Sequence, residues 1–211
     1  MTFHREVMPA SQQRMLRRLG PITTGAGFFL AGGTAVAIQL GHRRSLDFDW
    51  FTGGKIADAL GLAADLRRAG VDIAVMDVAK GTLHGEAGGV KLSFLEHRYP
   101  ELVPPVSWPE YGCLLAGLED LACMKLSALA SRGAKKDFID LYALGRERFS
   151  LDEMLGLYQR KFATQDLGHT LMSLTFFDDA EEEEAPEMLW KVAWEEVKRT
   201  VELWVSDYVR R

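Results

Sequence analysis

The apolar pattern of this chain changes character halfway along, and that change limits the folds open to it. From Phe28 to about Tyr99, glycines are frequent and apolar residues fall in short runs. After Pro100, Pro104, Pro105 and Pro109 the apolar spacing becomes helical. The first half therefore predicts a sheet with a few helices, and the second a helical lobe. Val71 to Val78 is rich in β-branched residues and reads as a strand. The runs Gly81–Glu86 and Val90–Leu95, separated by Gly88-Gly89, read as a hairpin. Leu46 to Phe51 alternates aspartate with apolar residues, as a further strand would. Helices are expected from about Gly33 to Leu40 and from Ile56 to Ala69, the second closed by Gly70.

In the second half, Leu118, Leu121, Ala122, Lys125, Leu126 and Leu129 share helical spacing, and another helix is expected from Lys135 to Arg146. Ser150 and Glu153 form a capping-box pattern. Trp190, Trp194, Val197, Val201, Trp204 and Tyr208 step by four and three, which predicts one long helix with an aromatic face. The expected organisation is α+β: a mixed sheet with flanking helices in residues 1–110, then a helical lobe in 111–211.

A chain of 211 residues with 47% hydrophobic content buries a core without staples. Two cysteines, Cys113 and Cys123, exclude a disulfide scaffold and a four-cysteine metal knuckle and read as small core residues. With no long apolar run and no signal core behind the first residues, a reduced cytoplasm is the expected compartment and no membrane partner is expected. Net charge is −5, but Asp178, Asp179, Glu181, Glu182, Glu183 and Glu184 supply six negative charges, without which the chain carries +1. No global basic field draws nucleic acid, yet a local site is not excluded. The acidic run reads as a solvated loop or helix start.

The chemistry concentrates in Leu30-Ala31-Gly32-Gly33-Thr34-Ala35 and, twelve residues beyond Thr34, Asp47-Phe48-Asp49. Glycines opening a helix let a phosphate approach backbone N–H groups, and Thr34 adds a hydroxyl. Asp47 and Asp49, two apart on a strand, project from one face. Such like charges repel unless a cation lies between them, and Mg²⁺ prefers carboxylate and phosphate oxygens. A phosphate cradle followed closely by paired carboxylates is an arrangement for nucleotidyl transfer. Each element alone also fits an ordinary turn or strand edge.

Gly-Gly-Thr, a dozen residues, and Asp-x-Asp between apolar residues resemble the signature of polymerase-β-like nucleotidyltransferases. Residues 29–35 and 40–51, with Leu118-Glu119-Asp120-Leu121, Met124-Lys125 and the block Lys135 to Tyr142, are similar to the AbiEii/AbiGii family of abortive-infection toxins. The resemblance implies a polymerase-β-like sheet and a Mg²⁺- or Mn²⁺-dependent enzyme using an NTP. It also implies a toxin–antitoxin setting with a cognate antitoxin encoded beside it, and an RNA acceptor such as a tRNA 3′ end. Carried over by position, Gly32, Gly33 and Thr34 would hold the triphosphate, and Asp47 and Asp49 the metal, with Ser45 beside them. Lys125 would contact phosphates, and Asp137 would stand near it as a catalytic or organising carboxylate.

The residues themselves leave alternatives. Lys125 shares a face with leucines, so its ammonium either snorkels to water or reaches an anion in a cleft. Asp137 and Asp140 share a helix face, where compensation of the helix N-terminus also accounts for them. His42, Arg43 and Arg44 form a basic cluster that could meet triphosphate or RNA, or be a turn in which one arginine neutralises the aspartates. Arg132, Lys135 and Lys136 are further candidates for RNA phosphates. His84, His97 and His169 show no metal-ligand spacing. Family members often carry a third carboxylate on a later strand. Here the corresponding position is Ser93, with Glu96, Asp77 or Asp137 as candidate substitutes. Transfer to a protein hydroxyl, or a weakened nucleotide- or RNA-binding module of a toxin–antitoxin pair, are the competing expectations.

Overall fold

The computed structural model describes residues 2–210. It divides into two compact units, one of Met8–Ala35 with Ser45–Gly117, the other of Met1–Val7, Val36–Arg44 and Leu118–Arg211. The division expected at residue 110 falls at 117, and the stretch 36–44 joins the helices rather than the sheet.

The first unit is built on seven strands: β1 Phe29–Ala31, β2 Phe48–Thr52, β3 Ala74–Ala79, β4 Thr82–Ala87, β5 Val90–Glu96, β6 Val106–Trp108 and β7 Cys113–Leu115. Their order is β3-β4-β5-β2-β1-β7-β6, parallel between β2 and β5 and between β1 and β7, antiparallel elsewhere. Gly88 and Gly89 both take positive φ, +57° and +76°, as a two-residue hairpin between β4 and β5 requires. β2 alternates: Phe48, Trp50 and Thr52 are buried, while Asp49 and Phe51 are half-buried on the other face.

Three elements of this unit were not legible. Helix α1, Ala10–Gly25, packs along β7, and Gly20 lies so close to Tyr111 that an added Cβ would meet its carbonyl oxygen at 2.0 Å. Strands β6 and β7 lie on either side of Pro109, between the glycine-rich half and the helical half, where no strand was expected. Helix α2 runs Gly32–Leu40 and α3 runs Ala59–Arg68, the latter capped by Asp58, which accepts from Gly61 N–H at 2.8 Å.

The second unit holds α4 Leu118–Arg132, α5 Lys135–Glu147, α6 Leu151–Phe162, α7 Gly168–Ser173, α8 Asp178–Glu181 and α9 Trp194–Val209. The capping box is present: Ser150 accepts from Glu153 N–H while Glu153 accepts from Ser150 N–H at 2.7 Å. α5 has no capping side chain of its own. Glu183 of the acidic run accepts its first N–H, from Lys135, at 2.9 Å. The aromatic face does not extend as far as its spacing suggests. Trp190 lies before α9, its N–H donating to the His42 carbonyl at 3.1 Å, because the stretch 188–190 pairs with 42–43 instead of coiling. The indole of Trp190 meets the His42 ring edge-on at 5.7 Å.

Candidate active site

In the sheet unit, Asp49 is half-buried on β2 and Asp47 is half-buried as the residue just before the strand begins, and neither forms an ion pair among the described residues. Gly32 opens α2 with φ +63°, and a Cβ there would lie 2.5 Å from Asp49 Oδ2. Glycine is required twice over, by its left-handed backbone and by the carboxylate against it. The first-turn N–H groups of Gly33 and Thr34 have no partner within the helix, an environment that favours anions.

Thr34 and Ser45 take a different part from the one expected. The Thr34 hydroxyl is buried, donates to the Asp47 carbonyl and lies 2.7 Å from the Ser45 hydroxyl. This pair fixes the backbone that carries Asp47, so neither hydroxyl is left for a phosphate.

The strand register decides the third-carboxylate question. Ser93 lies directly opposite Asp49 across the parallel β2–β5 pair, and its hydroxyl is 3.2 Å from His84 Nδ1 on β4. Glu96 cannot replace it. It is on the opposite face of β5, three residues on, and its carboxylate accepts from Ile56 N–H at 2.7 Å. Asp77 pairs with His84, three strands from Asp49, about 14 Å away at ~4.8 Å per strand. Among the described residues, no group of three or more histidine, cysteine or acidic side chains could hold a metal ion.

In the helical unit, Lys125, Asp137, Asp140, His42, Arg43 and Arg132 form one ion cluster. Lys125 Nζ lies 2.7 Å from Asp137 and 2.6 Å from Asp140, with the residue only 4% exposed. Arg43 is bidentate on Asp140, Nε to Oδ1 at 2.6 Å and Nη2 to Oδ2 at 2.8 Å, and His42 Nε2 donates to the same carboxylate at 2.7 Å. Arg132 Nε donates to Asp137 at 2.7 Å. Lys125 thus neither snorkels nor reaches out: its ammonium is held between two protein carboxylates. Arg43, buried in the fork of Asp140, is corrected from ligand contact to interior ion pair, and the carboxylate it neutralises is neither Asp47 nor Asp49. Arg44 pairs with Glu187 at 2.7 Å, and the Lys135 ammonium reaches the Glu183 carbonyl. Four of the cations expected at RNA phosphates are therefore engaged within the protein.

A family model described as nucleotidyl transferase AbiEii toxin, type IV toxin–antitoxin system, matches residues 14–210. The chain belongs to the AbiEii nucleotidyltransferase toxin family. An uncharacterized protein of Aquifex aeolicus (strain VF5) is 36% identical to this AbiEii chain over 200 residues, 94% of it and 96% of the relative. Two solved structures share the AbiEii fold at low identity. MenT4, a nucleotidyltransferase toxin of Mycobacterium tuberculosis, has TM-score 0.62 at 15% identity, covering 92% of this chain and 82% of that one. JHP933 of Helicobacter pylori has TM-score 0.54 at 16% identity, covering 99% and 95%. Membership makes nucleotidyl transfer the class of chemistry.

Sequence reasoning did not pair His42 with Asp140 in this AbiEii member. The signal for Asp140 was its position one helical turn from Asp137; for His42, that an apolar run precedes it. Cys113 and Cys123 are buried as expected, and burial pushes both thiols up to about 12. No helix among the described residues is long and apolar enough to cross a membrane.

The ion cluster predicts acid lability. Burial lowers the His42 pKa below its ordinary 6.5, more than the bond to Asp140 raises it. Below pH 6.5 the unfolded chain takes up a proton that folded His42 refuses, so stability falls as pH drops towards the lower folded value. Burial alone would raise the carboxyl of Asp140, but Arg43 and Lys125 outweigh it and hold Asp140 well below 3.8; Lys125 and Arg132 act likewise on Asp137. Those carboxylates stabilise fully above 3.8 and progressively less as pH falls through their folded values. Urea midpoints should fall from pH 6.5 downward, by at most about 1.4 kcal/mol per pH unit for the one histidine. His42→Gln should abolish this upper stage alone. An unchanged pH profile in that variant would discount the buried imidazole.

Proposed function

We propose that this chain transfers a nucleoside monophosphate from an NTP to the 3′-hydroxyl of an RNA, a tRNA end being the favoured acceptor, as a toxin with a cognate antitoxin. The observation that carries the reading is Asp47 and Asp49, two residues apart where β2 begins, neither in an ion pair among the described residues, with Asp49 against the glycine start of α2. Two carboxylates in that state fit a divalent cation, Mg²⁺ or Mn²⁺, completed by substrate phosphate oxygens. Bound there, the metal would lower the hydroxyl's pKa and neutralise charge on the phosphates.

The chain's own groups then have distinct tasks. The N–H groups of Gly33 and Thr34 receive phosphate oxygens. Thr34 and Ser45 hold the Asp47 backbone, so that the carboxylates keep their spacing. The 3′-hydroxyl gives up its proton to solvent, its oxygen bonds to the α-phosphorus as the bond to the bridging oxygen breaks, and pyrophosphate leaves. Lys125 and Asp137 act as positioning residues. With Asp140 they fasten Arg43, which lies two residues before Ser45 in the chain.

Ser93 favours a second reading, a weakened nucleotide- or RNA-binding module, since a serine cannot supply the missing ligand charge. Incubation with labelled NTPs and total RNA separates the readings. Label is expected on small RNAs, and periodate oxidation of their 3′ ends should abolish it. Label on protein, or persisting after periodate, would move the acceptor to a protein hydroxyl. Saturable NTP binding without transfer would leave the binding module.

A further inference from the structure

Arg43, Arg44, Arg132 and Lys135, first expected at RNA phosphates, are engaged within the helical unit, but the sheet unit carries three cations that are not. A recess of about 880 Å³ opens where β2 and β5 end and β3 turns into β4. Lys55 follows β2, Lys80 stands at the β3–β4 turn and Arg98 follows β5; all three line the recess and are exposed. None forms an ion pair among the described residues. The two carboxylates on the same wall are committed to backbone. Asp58 accepts from Gly61 N–H at 2.8 Å, and Glu96 accepts from Ile56 N–H at 2.7 Å. The recess therefore holds three exposed cations against two carboxylates, a net charge of +1, and none of the cations is fastened in an ion pair among the described residues.

A row of rings leads to this recess from the carboxylate pair. Phe51 is two residues beyond Asp49 on the same face of β2, about 7 Å along the strand. Its ring stacks on Phe29 at 6.4 Å and meets the edge of His97 at 5.7 Å, and His97 lies 5.9 Å from Tyr99. His97 lines the recess beside Arg98, and Tyr99 next to it is 46% exposed. Cations that meet a phosphodiester backbone, with aromatic faces for unstacked bases, are the means by which proteins hold single-stranded nucleic acid.

The geometry points to this recess as a subsite for the acceptor: a single-stranded RNA segment just upstream of the reacting 3′ end. Lys55, Lys80 and Arg98 take its phosphates, and Tyr99 takes a base. The subsite rests on the RNA-acceptor reading above. Its place agrees with the strand geometry. Gly53, where the recess begins, is four residues from Asp49, about 13 Å, within the span of a few nucleotides from the reacting hydroxyl.

The test compares wild type with Lys55→Ala/Lys80→Ala/Arg98→Ala and with the single charge reversal Lys80→Glu, using a short fluorescent single-stranded RNA across a salt series. All three side chains are exposed, so melting should not change. Loss of three contacts should flatten the log–log salt slope by about 2 and weaken binding roughly tenfold or more near 0.15 M salt. KM for the NTP should stay as in wild type. Unchanged RNA binding in both variants, with RNA still labelled by wild type, would overturn the subsite and leave the transferase reading standing. A rise in the KM for NTP instead would overturn it in favour of a nucleotide site. Wild type that labels no RNA would remove the acceptor reading and the subsite together.

Discussion

Asp49→Asn is expected to lower transfer at least about a hundredfold, because preorganised electrostatic contributions to catalysis are commonly worth several kcal/mol. The replacement is nearly isosteric, which matters here. Asp49 Oδ2 occupies the space that a Cβ on Gly32 would need, so a larger residue would disturb α2 for reasons unrelated to charge. With no cation bound, removing one of two neighbouring like charges relieves repulsion, and the melting temperature should hold or rise slightly. Gly32→Ala should show the opposite pattern, with both activity and stability lost, since φ +63° and the 2.5 Å approach oppose any Cβ. Measured turnover and melting of the two variants separate a charge effect from a packing effect. Full turnover in Asp49→Asn would end the case for β2 as the reacting strand.

The second large effect is structural. Asp140→Asn is expected to cost about 3–5 kcal/mol, the range for breaking a buried ion pair from one side. Its carboxylate accepts from Arg43 and His42 and faces Lys125, all buried. The amide leaves buried Arg43 without its countercharge. Against a total stability of about 5–15 kcal/mol, this approaches unfolding. Lys125→Met should also destabilise, by leaving two carboxylates short of a cation. The double variant should cost less than the sum, because the members of one network do not add. Urea midpoints of the three variants measure this. Strict additivity would mean that the cluster does not act as one.

What the sequence disclosed follows how local each cause is. The Gly88-Gly89 hairpin, the Ser150 capping box and the alternation of β2 were readable because each is settled within a few residues. Ser93 was readable as the position of a missing third carboxylate, since Gly88-Gly89 marks where β5 starts; that it lies opposite Asp49 comes from the strand register. α1 was missed because Pro21 and a polar surface weaken its pattern, and β6 and β7 because three-residue strands among prolines look like loop. The fate of Arg43 had no local sign: its partner is 97 residues away. Trp190 kept a helical spacing it does not obey, because its backbone bonds to His42, again a distant partner. The carboxylate pair was therefore legible, and the assignment of cations to interior or surface was not.

The stretch 36–44 joins helices that the ribosome makes much later. His42 and Arg43 leave the exit tunnel with nothing to neutralise them, and Asp140 follows after almost a hundred more residues. At 5–20 residues per second that delay is about five to twenty seconds. During it the sheet-forming segments can assemble, but the linker between α2 and β2 stays unfastened. Residues 1–110, made alone, would carry that linker permanently in its unfinished state, a few residues from the strand that bears Asp49.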